Sequence, residues 1–152
     1  MTMTSKIIPF TVSAAILLSL SVNAALAAGD QTRNTINVKV AGVGNSTGKI
    51  RFGLYDSSQG FPDIGKEMRL VSLQAKKGTV QARFENVPAG TYALAVFHDE
   101  NSNGSLDKNM LGIPKEDFAF SNNARGMLGP PTFKKASFQF SQETTLSIVL
   151  TN

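Results

Sequence analysis

One acidic segment holds the residues whose types and spacing best fit metal chemistry. From Asp99 the chain reads D-E-N-S-N-G-S-L-D, so oxygen-bearing side chains recur at alternate positions before a glycine, Gly104. Such oxygens converge when the chain curls around a hard divalent cation, and the spacing follows the first part of the EF-hand calcium loop. The expected Ca²⁺ ligands are Asp99, Asn101, Asn103, Ser105 and Asp107.

The agreement with an EF-hand ends at its last position, where Met110 stands in place of the bidentate glutamate. Glu116, with Asp117 beside it, is the nearest replacement carboxylate, and it completes the expected ligand set. Five of the eleven acidic residues lie between positions 99 and 117, against two lysines, so a cation or partner would relieve their repulsion. Asn, Asp, Gly and Ser also form metal-free turns by bonding the local backbone, and that alternative stays open.

The single histidine, His98, directly precedes this loop and is the one candidate general base. As a base it would need an orienting carboxylate, from Asp99, Glu116 or Asp117, and a substrate pocket. No G-x-S-x-G element surrounds any serine, and the chain has no cysteine that could act as a nucleophile. No catalytic constellation is recognisable, so we expect a protein that is not an enzyme and treat a histidine–carboxylate hydrolase as the alternative.

A long segment, residues 117–133, follows the acidic loop and is rich in aromatic and amide side chains. Long loops in compact domains are often functional. Phenylalanines here could line a ligand or partner surface or pack against the edge of the fold, and both interpretations stay open. The residues of this expected surface are His98, Phe118, Phe120, Asn122, Asn123 and Phe133.

The elements that position these residues are predicted to be β-strands. Apolar and polar residues alternate with period two, which indicates strands with one face toward a core. The segment 91–98 is apolar on both faces and is predicted to be a central strand, immediately before the acidic loop. The alternating segments are 36–40, 49–54, 71–75, 80–84, 135–140 and 145–150.

Seven predicted strands within residues 35–151 indicate one all-β domain, an Ig-like antiparallel β-sandwich. A chain of this length can bury a core between two sheets without disulfides. No window shows sustained helical periodicity, and residues 61–68 are the best candidate for a short helical turn.

The N-terminus has the pattern of an export signal. Lys6 precedes an apolar stretch, 7–20, and Ala25-Leu26-Ala27 is an A-x-A cleavage site. We expect removal of residues 1–27, a linker over 28–34, no membrane span after cleavage, and a periplasmic or secreted bacterial protein. The alternative is an uncleaved anchor, for which the apolar run is short.

Composition excludes several classes of function. With one histidine and no cysteine among 152 residues, multi-histidine and thiolate metal sites are ruled out. The net charge of +4 is small and its lysines and arginines are scattered, so nucleic acid is not an expected partner.

Several longer motifs resemble the DUF2141 family of exported bacterial proteins. They include Gly90-Thr91-Tyr92-Ala93, His98-Asp99-Glu100-Asn101, Gly112-Ile113-Pro114-Lys115-Glu116 and Phe120-Ser121-Asn122-Asn123. The resemblance implies a sandwich similar to prealbumin-like and carboxypeptidase-regulatory-like modules. It implies no activity and no catalytic residues.

These observations favour an exported, non-enzymatic binding or interaction module. The acidic loop, with or without Ca²⁺, would rigidify one end of the sandwich and support a surface formed with residues 117–133. The expected partner is a glycan, a peptide or an envelope protein. Besides the hydrolase, the remaining alternative is a structural envelope protein in which the loop only turns the chain.

Overall fold

The computed structural model describes residues 34–151 and contains eight β-strands. The expected export signal, residues 1–27, lies outside the described residues, as do residues 28–33 of the expected linker. The strands are β1 (Ile36–Val43), β2 (Lys49–Tyr55), β3 (Arg69–Gln74), β4 (Gly78–Phe84), β5 (Gly90–Asp99), β6 (Phe118–Phe120), β7 (Phe138–Phe140) and β8 (Thr144–Val149).

Two sheets form the sandwich. One has the strand order β4-β1-β8, and the other has the order β3-β2-β5-β6, with β7 also paired to β5. Strands β1 and β8 are parallel, and the other pairings are antiparallel. The predicted all-β, antiparallel-dominated sandwich is confirmed.

The main core lies between the facing sides of the two sheets. Alternate residues of β1 and β2, such as Val38 and Phe52, are almost fully buried there, as period-two patterning predicts. β5 is buried on both faces: Leu94 joins the main core, whereas Ala93 packs on the opposite side of the sheet. A second cluster of apolar residues therefore covers part of the outer face of the five-stranded sheet.

Two expectations about local structure were wrong. Residues 61–68 form consecutive turns instead of a helical turn, with Asp63 N–H bonded to the Gly60 carbonyl and Lys66 N–H to that of Asp63. Gly65, at φ +85°, interrupts any helical run there. Residues 135–140 are not one strand, because a helical turn, α1 (Phe133–Ala136), precedes β7.

Strand β6 was not anticipated, nor was the 3₁₀ turn that follows it at Ser121–Asn123. Both lie in the segment that the sequence left as a long loop. Within residues 34–151, no helix is long and apolar enough to cross a membrane.

Candidate functional site

Asp99, the last residue of β5, organises the acidic loop. Its fully buried carboxylate accepts the backbone N–H of Asn103 on Oδ1 and that of Gly104 on Oδ2, both at 2.9 Å. Positive φ angles at Ser102 (58°) and Gly104 (84°) let the chain curl back over this carboxylate. The curl is common to both interpretations of the sequence, a cation-binding loop and a hydrogen-bonded turn.

Asp107 closes the loop from the other side. Its Oδ2 accepts the side-chain amide of Asn101 at 2.7 Å, and its Oδ1 accepts that of Asn103 at 3.0 Å. The amide oxygens of these asparagines accept the backbone N–H groups of Asn103 and Ser105 at 3.0 and 2.7 Å. Three expected ligand side chains therefore converge on the exposed side of the loop.

Glu116 has a different position from the other expected ligands. It is buried, and its two carboxylate oxygens accept the backbone N–H groups of Glu100 (3.0 Å) and Asp107 (2.9 Å). These bonds tie the strand end to the far side of the loop. Glu116 thus braces the loop from within.

The donor chemistry of the loop fits a hard cation, since carboxylate, amide and backbone carbonyl oxygens are the ligands that Ca²⁺ takes. The Asn101 and Asn103 amides direct their nitrogens at Asp107 and their oxygens at backbone N–H groups, so a cation held here would have to replace these hydrogen bonds. Across the described residues, no three acidic or histidine side chains are grouped as a metal site. A bound cation would therefore depend on the amide and backbone oxygens as well as on carboxylates.

His98 is fully buried behind the loop. Its Nε2 lies 2.7 Å from the carbonyl oxygen of Thr47, which can only accept, so Nε2 carries the proton. Nδ1 has no hydrogen-bond partner and lies 3.7 Å from Oε1 of Glu100. The ring is held by the backbone and gives a substrate no route to it.

An apolar cleft, here called the outer groove, crosses the outer face of the five-stranded sheet. The register pairs Arg51 with Phe97, Gly53 with Ala95 and Tyr55 with Ala93. Gly53 and Ala95 place little side-chain volume at the middle of this face. The Tyr55 ring covers Gly53, since an added Cβ there would lie 3.0 Å from its Cε2, whereas Ala95 is only half-buried and forms the open part of the trough. The cavity measures about 610 Å³, within the usual size of ligand pockets, about 300 to 1,000 Å³.

Aromatic residues form one wall of the outer groove. Phe61 contacts Tyr55, Phe120 and Phe133 edge-on, with ring centroids 5.1, 5.8 and 5.7 Å apart. Phe118 and Phe120 line the groove directly, whereas Phe133 packs behind them. The sequence left two interpretations of these phenylalanines, packing against the fold and lining a surface. Both apply: the rings pack together, and Phe118 and Phe120 face the cavity.

Three loops rim the outer groove, and their tips carry exposed apolar side chains. Met127 and Leu128 are almost completely exposed, at 94% and 103%, and Leu111 is exposed at 83%. Lone exposed apolar residues are ordinary, but a contiguous set around a cavity marks a binding surface. Ile64 and Ile113 continue the same rim.

The two asparagines of the expected surface do not face this groove. Asn122 donates its amide to the Ser137 carbonyl at 2.8 Å, and Asn123 accepts the Val149 N–H at 3.1 Å. Both have positive φ, 59° and 47°. Their hydrogen bonds connect the 3₁₀ turn to Ser137 and to β8.

The sequence comparison agrees with this fold and these motifs. A family described as uncharacterized and conserved in bacteria matches residues 38–147, well over half of the chain. The chain belongs to the DUF2141 family. No curated protein and no solved structure matches it.

The DUF2141 match begins within β1 and ends within β8, so it includes both the acidic loop and the outer groove. Sequence reasoning located the loop but missed the groove in this DUF2141 chain. Two sequence features pointed to the groove: the small residues Gly53 and Ala95 in otherwise bulky strands, and two Met-Leu pairs at 110–111 and 127–128. Only the fold shows that the small residues are neighbours and that Leu111, Met127 and Leu128 line one cleft.

Proposed function

We propose that this protein is an exported, non-enzymatic binding module that holds an apolar ligand in the outer groove. The observation that carries the proposal is the exposure of Leu111, Met127 and Leu128 around one apolar cavity. Water contact with so much apolar surface is unfavourable, and a bound apolar ligand would relieve it. The signal-like pattern of residues 1–27 supports a periplasmic or secreted location.

The burial of His98 favours this proposal over a hydrolase. A general base must come within hydrogen-bond reach of the proton that it removes. The His98 ring is fully buried, with Nε2 at 2.7 Å from the Thr47 carbonyl. The apolar middle of the groove also favours an apolar ligand over a glycan, whose hydroxyls would lack partners away from the charged ends.

The test is binding of a neutral naphthylamine dye, whose fluorescence rises in apolar surroundings, and its competition by candidate ligands. Ala95→Phe would fill the trough, because Ala95 faces outward beside Gly53. Gln81→Phe places the same side chain at an exposed position of β4, in the other sheet, as a matched control. We expect dye binding in the wild type and in Gln81→Phe, and its loss in Ala95→Phe.

Equal dye binding by all three proteins would contradict the groove as the binding site. Self-association of the wild type that Ala95→Phe abolishes, without dye binding, would favour the structural envelope protein instead.

A second proposal concerns the acidic loop: Ca²⁺ binds at Asp99, Asn101, Asn103 and Asp107 and stabilises the end of β5. It is supported by the alternate spacing of these residues and by the curl of the loop, which brings Asn101 and Asn103 next to Asp107; Ca²⁺ would replace the amide hydrogen bonds to Asp107, at 2.7 and 3.0 Å. Without the last glutamate of an EF-hand, the dissociation constant should be about 10⁻⁴ to 10⁻³ M.

Thermal unfolding in EDTA and in millimolar Ca²⁺ or Mg²⁺ tests the calcium proposal. Since a ligand of the native state raises stability by mass action, we expect Ca²⁺ to raise the Tm by a few degrees. Asp107→Ala should abolish that rise, whereas Asp56→Ala, the same change at an exposed position outside the loop, should keep it. An unchanged Tm of the wild type with either ion would leave the loop as a hydrogen-bonded turn.

A further inference from the structure

The two ends of the outer groove differ in charge. Arg51 and Lys108 line one end, and Tyr55, Asp63 and Glu67 line the other. Arg51 and Tyr55 lie on one strand, four residues apart, which corresponds to about 13 Å. An anionic group would therefore be placed at the Arg51 end and kept away from the Tyr55 end.

The Arg51 guanidinium has unused hydrogen-bonding capacity. Its one hydrogen bond within the described residues runs from Nη1 to Oδ2 of Asp99, at 3.4 Å. Its Nε is buried and has no partner. A guanidinium offers five N–H donors in a fork that matches a carboxylate. The buried Nε is out of reach of a ligand, so a ligand carboxylate would bond the Nη groups, of which only Nη1 is hydrogen-bonded, to Asp99.

Lys108 supplies the second positive charge at this end. It is exposed, and no carboxylate of residues 34–151 lies within ion-pair distance of it. Asp99 offsets the Arg51 charge, and four further carboxylates, Glu100, Asp107, Glu116 and Asp117, belong to the same loop segment. None of the five lines the groove, whereas Lys108 does, so Lys108 is the positive charge that an anion in the groove would meet.

Between its ends the groove offers almost no hydrogen bonds to a ligand. Its floor is Ala95 and the Tyr55 ring that covers Gly53, and the Tyr55 hydroxyl is already bonded to the carbonyls of Pro62 and Asp63, at 3.1 and 3.0 Å. An extended peptide would leave its backbone amides unpaired in such a place, which is costly. A hydrocarbon chain has no such groups.

We propose that the ligand is a fatty-acid-like amphiphile, with its chain over Ala95 and the Tyr55 ring and its carboxylate on Arg51 and Lys108. The proposal rests on the proposed function of the outer groove and names the chemistry of its ligand. The chain would fill the apolar trough, and the exposed side chains of Met127 and Leu128 would pack on it.

Calorimetric titration of the purified protein with decanoate, decanol and decylammonium tests the proposal, because these probes share one chain and differ in head group. We expect affinity to decrease in that order. Lengthening decanoate to dodecanoate should tighten binding about tenfold if both added methylenes are buried.

Variants separate the head-group contact from the chain contact. Arg51→Gln should weaken decanoate binding about tenfold or more, since a charge-assisted pair is lost, and should leave decanol binding unchanged. Because Arg51 also faces buried Asp99 and its loss could impair folding, Lys108→Gln provides a second test and should weaken decanoate binding up to about fivefold. Lys39→Gln, an exposed lysine of β1 outside the groove, is the matched control and should have no effect.

Each outcome separates this proposal from the proposed function. Decanol binding as tight as decanoate, unaffected by Lys108→Gln, would overturn the carboxylate contact and leave the apolar groove standing. Failure of all three probes, with an apolar peptide binding instead and lost in Ala95→Phe, would overturn the amphiphile alone. Failure of the probes, the peptide and the dye together would overturn both proposals.

Discussion

At the scale of single residues, the phenol of Tyr55 combines burial with two nearby carboxylates. Burial raises the pKa of its phenol well above the ordinary value of 10.0, and the nearby carboxylates of Glu67 and Asp63 raise it further. The neutral hydroxyl is also the form that donates to the carbonyls of Pro62 and Asp63. All of these contributions oppose ionisation in the native state.

The Tyr55→Phe variant should therefore change how stability depends on alkaline pH. Above pH 10.0 the unfolded chain loses the Tyr55 proton while the native state keeps it, so the unfolded state binds fewer protons and stability falls as pH rises. At neutral pH the variant should be less stable by about 1 kcal/mol, from lost hydrogen bonding. This deficit should narrow as pH rises above 10.0, which urea unfolding at neutral and alkaline pH measures.

Tyr92→Phe is the comparison for this prediction. Burial and Asp56 raise the pKa of Tyr92, but Arg69 opposes them, and its hydroxyl donates to the Pro88 carbonyl at 2.9 Å. We therefore expect the stability deficit of Tyr92→Phe to narrow less than that of Tyr55→Phe as the pH rises. A Tyr55→Phe deficit that stays the same at all pH values would contradict the prediction.

At the scale of elements, the turn between β1 and β2 packs closely against the end of β5. Gly48, at φ +69°, lies so close that a Cβ atom would overlap the carbonyl oxygens of Asp99 and Glu100. The carbonyl of Gly48 also accepts the backbone N–H of Ala75 at 3.1 Å and the side-chain amide of Gln74 at 2.8 Å. This glycine thus lets three segments meet where the acidic loop begins.

Gly48→Ala should destabilise the protein more than an ordinary glycine replacement in a turn. The added methyl meets backbone that cannot move without shifting Asp99, and overpacking of this kind costs about 1–3 kcal/mol, beyond the conformational penalty of about 1–2 kcal/mol at positive φ. Gly65→Ala, at φ +85° with nothing within 4 Å of the added atom, should cost only the conformational penalty of positive φ. Equal Tm values for the two variants would contradict the close approach at Gly48.

Strands of five or more residues could be predicted from period-two patterning, because each had enough positions to show two faces. β6 has only Phe118–Phe120, too few residues for a period, and its strand character comes from pairing with β5. The end of α1, Lys135–Ala136, was mistaken for strand because K-A-S-F-Q-F, residues 135–140, alternates as a strand does, whereas Thr132 accepts the Lys135 N–H and begins a helical turn.

The acidic loop was predictable because its residues are consecutive and its contacts are local. The outer groove was not, because Gly53 and Ala95 are neighbours only through the β2–β5 register and the rim comes from three separate loops. Nothing in a single sequence specifies such pairings before the sheet is known.

At the scale of the whole molecule, the candidate binding features belong to one sheet. The outer groove lies on the five-stranded sheet, and the acidic loop follows its β5. The three-stranded sheet presents alternating polar residues outward and supplies its inner face to the core. A ligand in the groove would therefore contact the sheet that carries the loop.

The parallel pairing of β1 with β8 has a consequence for the synthesis and folding of the chain. β1 is the middle strand of its sheet, yet one of its neighbours, β8, follows it only about 100 residues later, since Ile36 pairs with Thr144. Until β8 has been synthesised, one edge of β1 has no partner and the sandwich remains unfinished. The same topology makes a prematurely ended chain hazardous, because the bare edge of β1 would pair with other copies and aggregate.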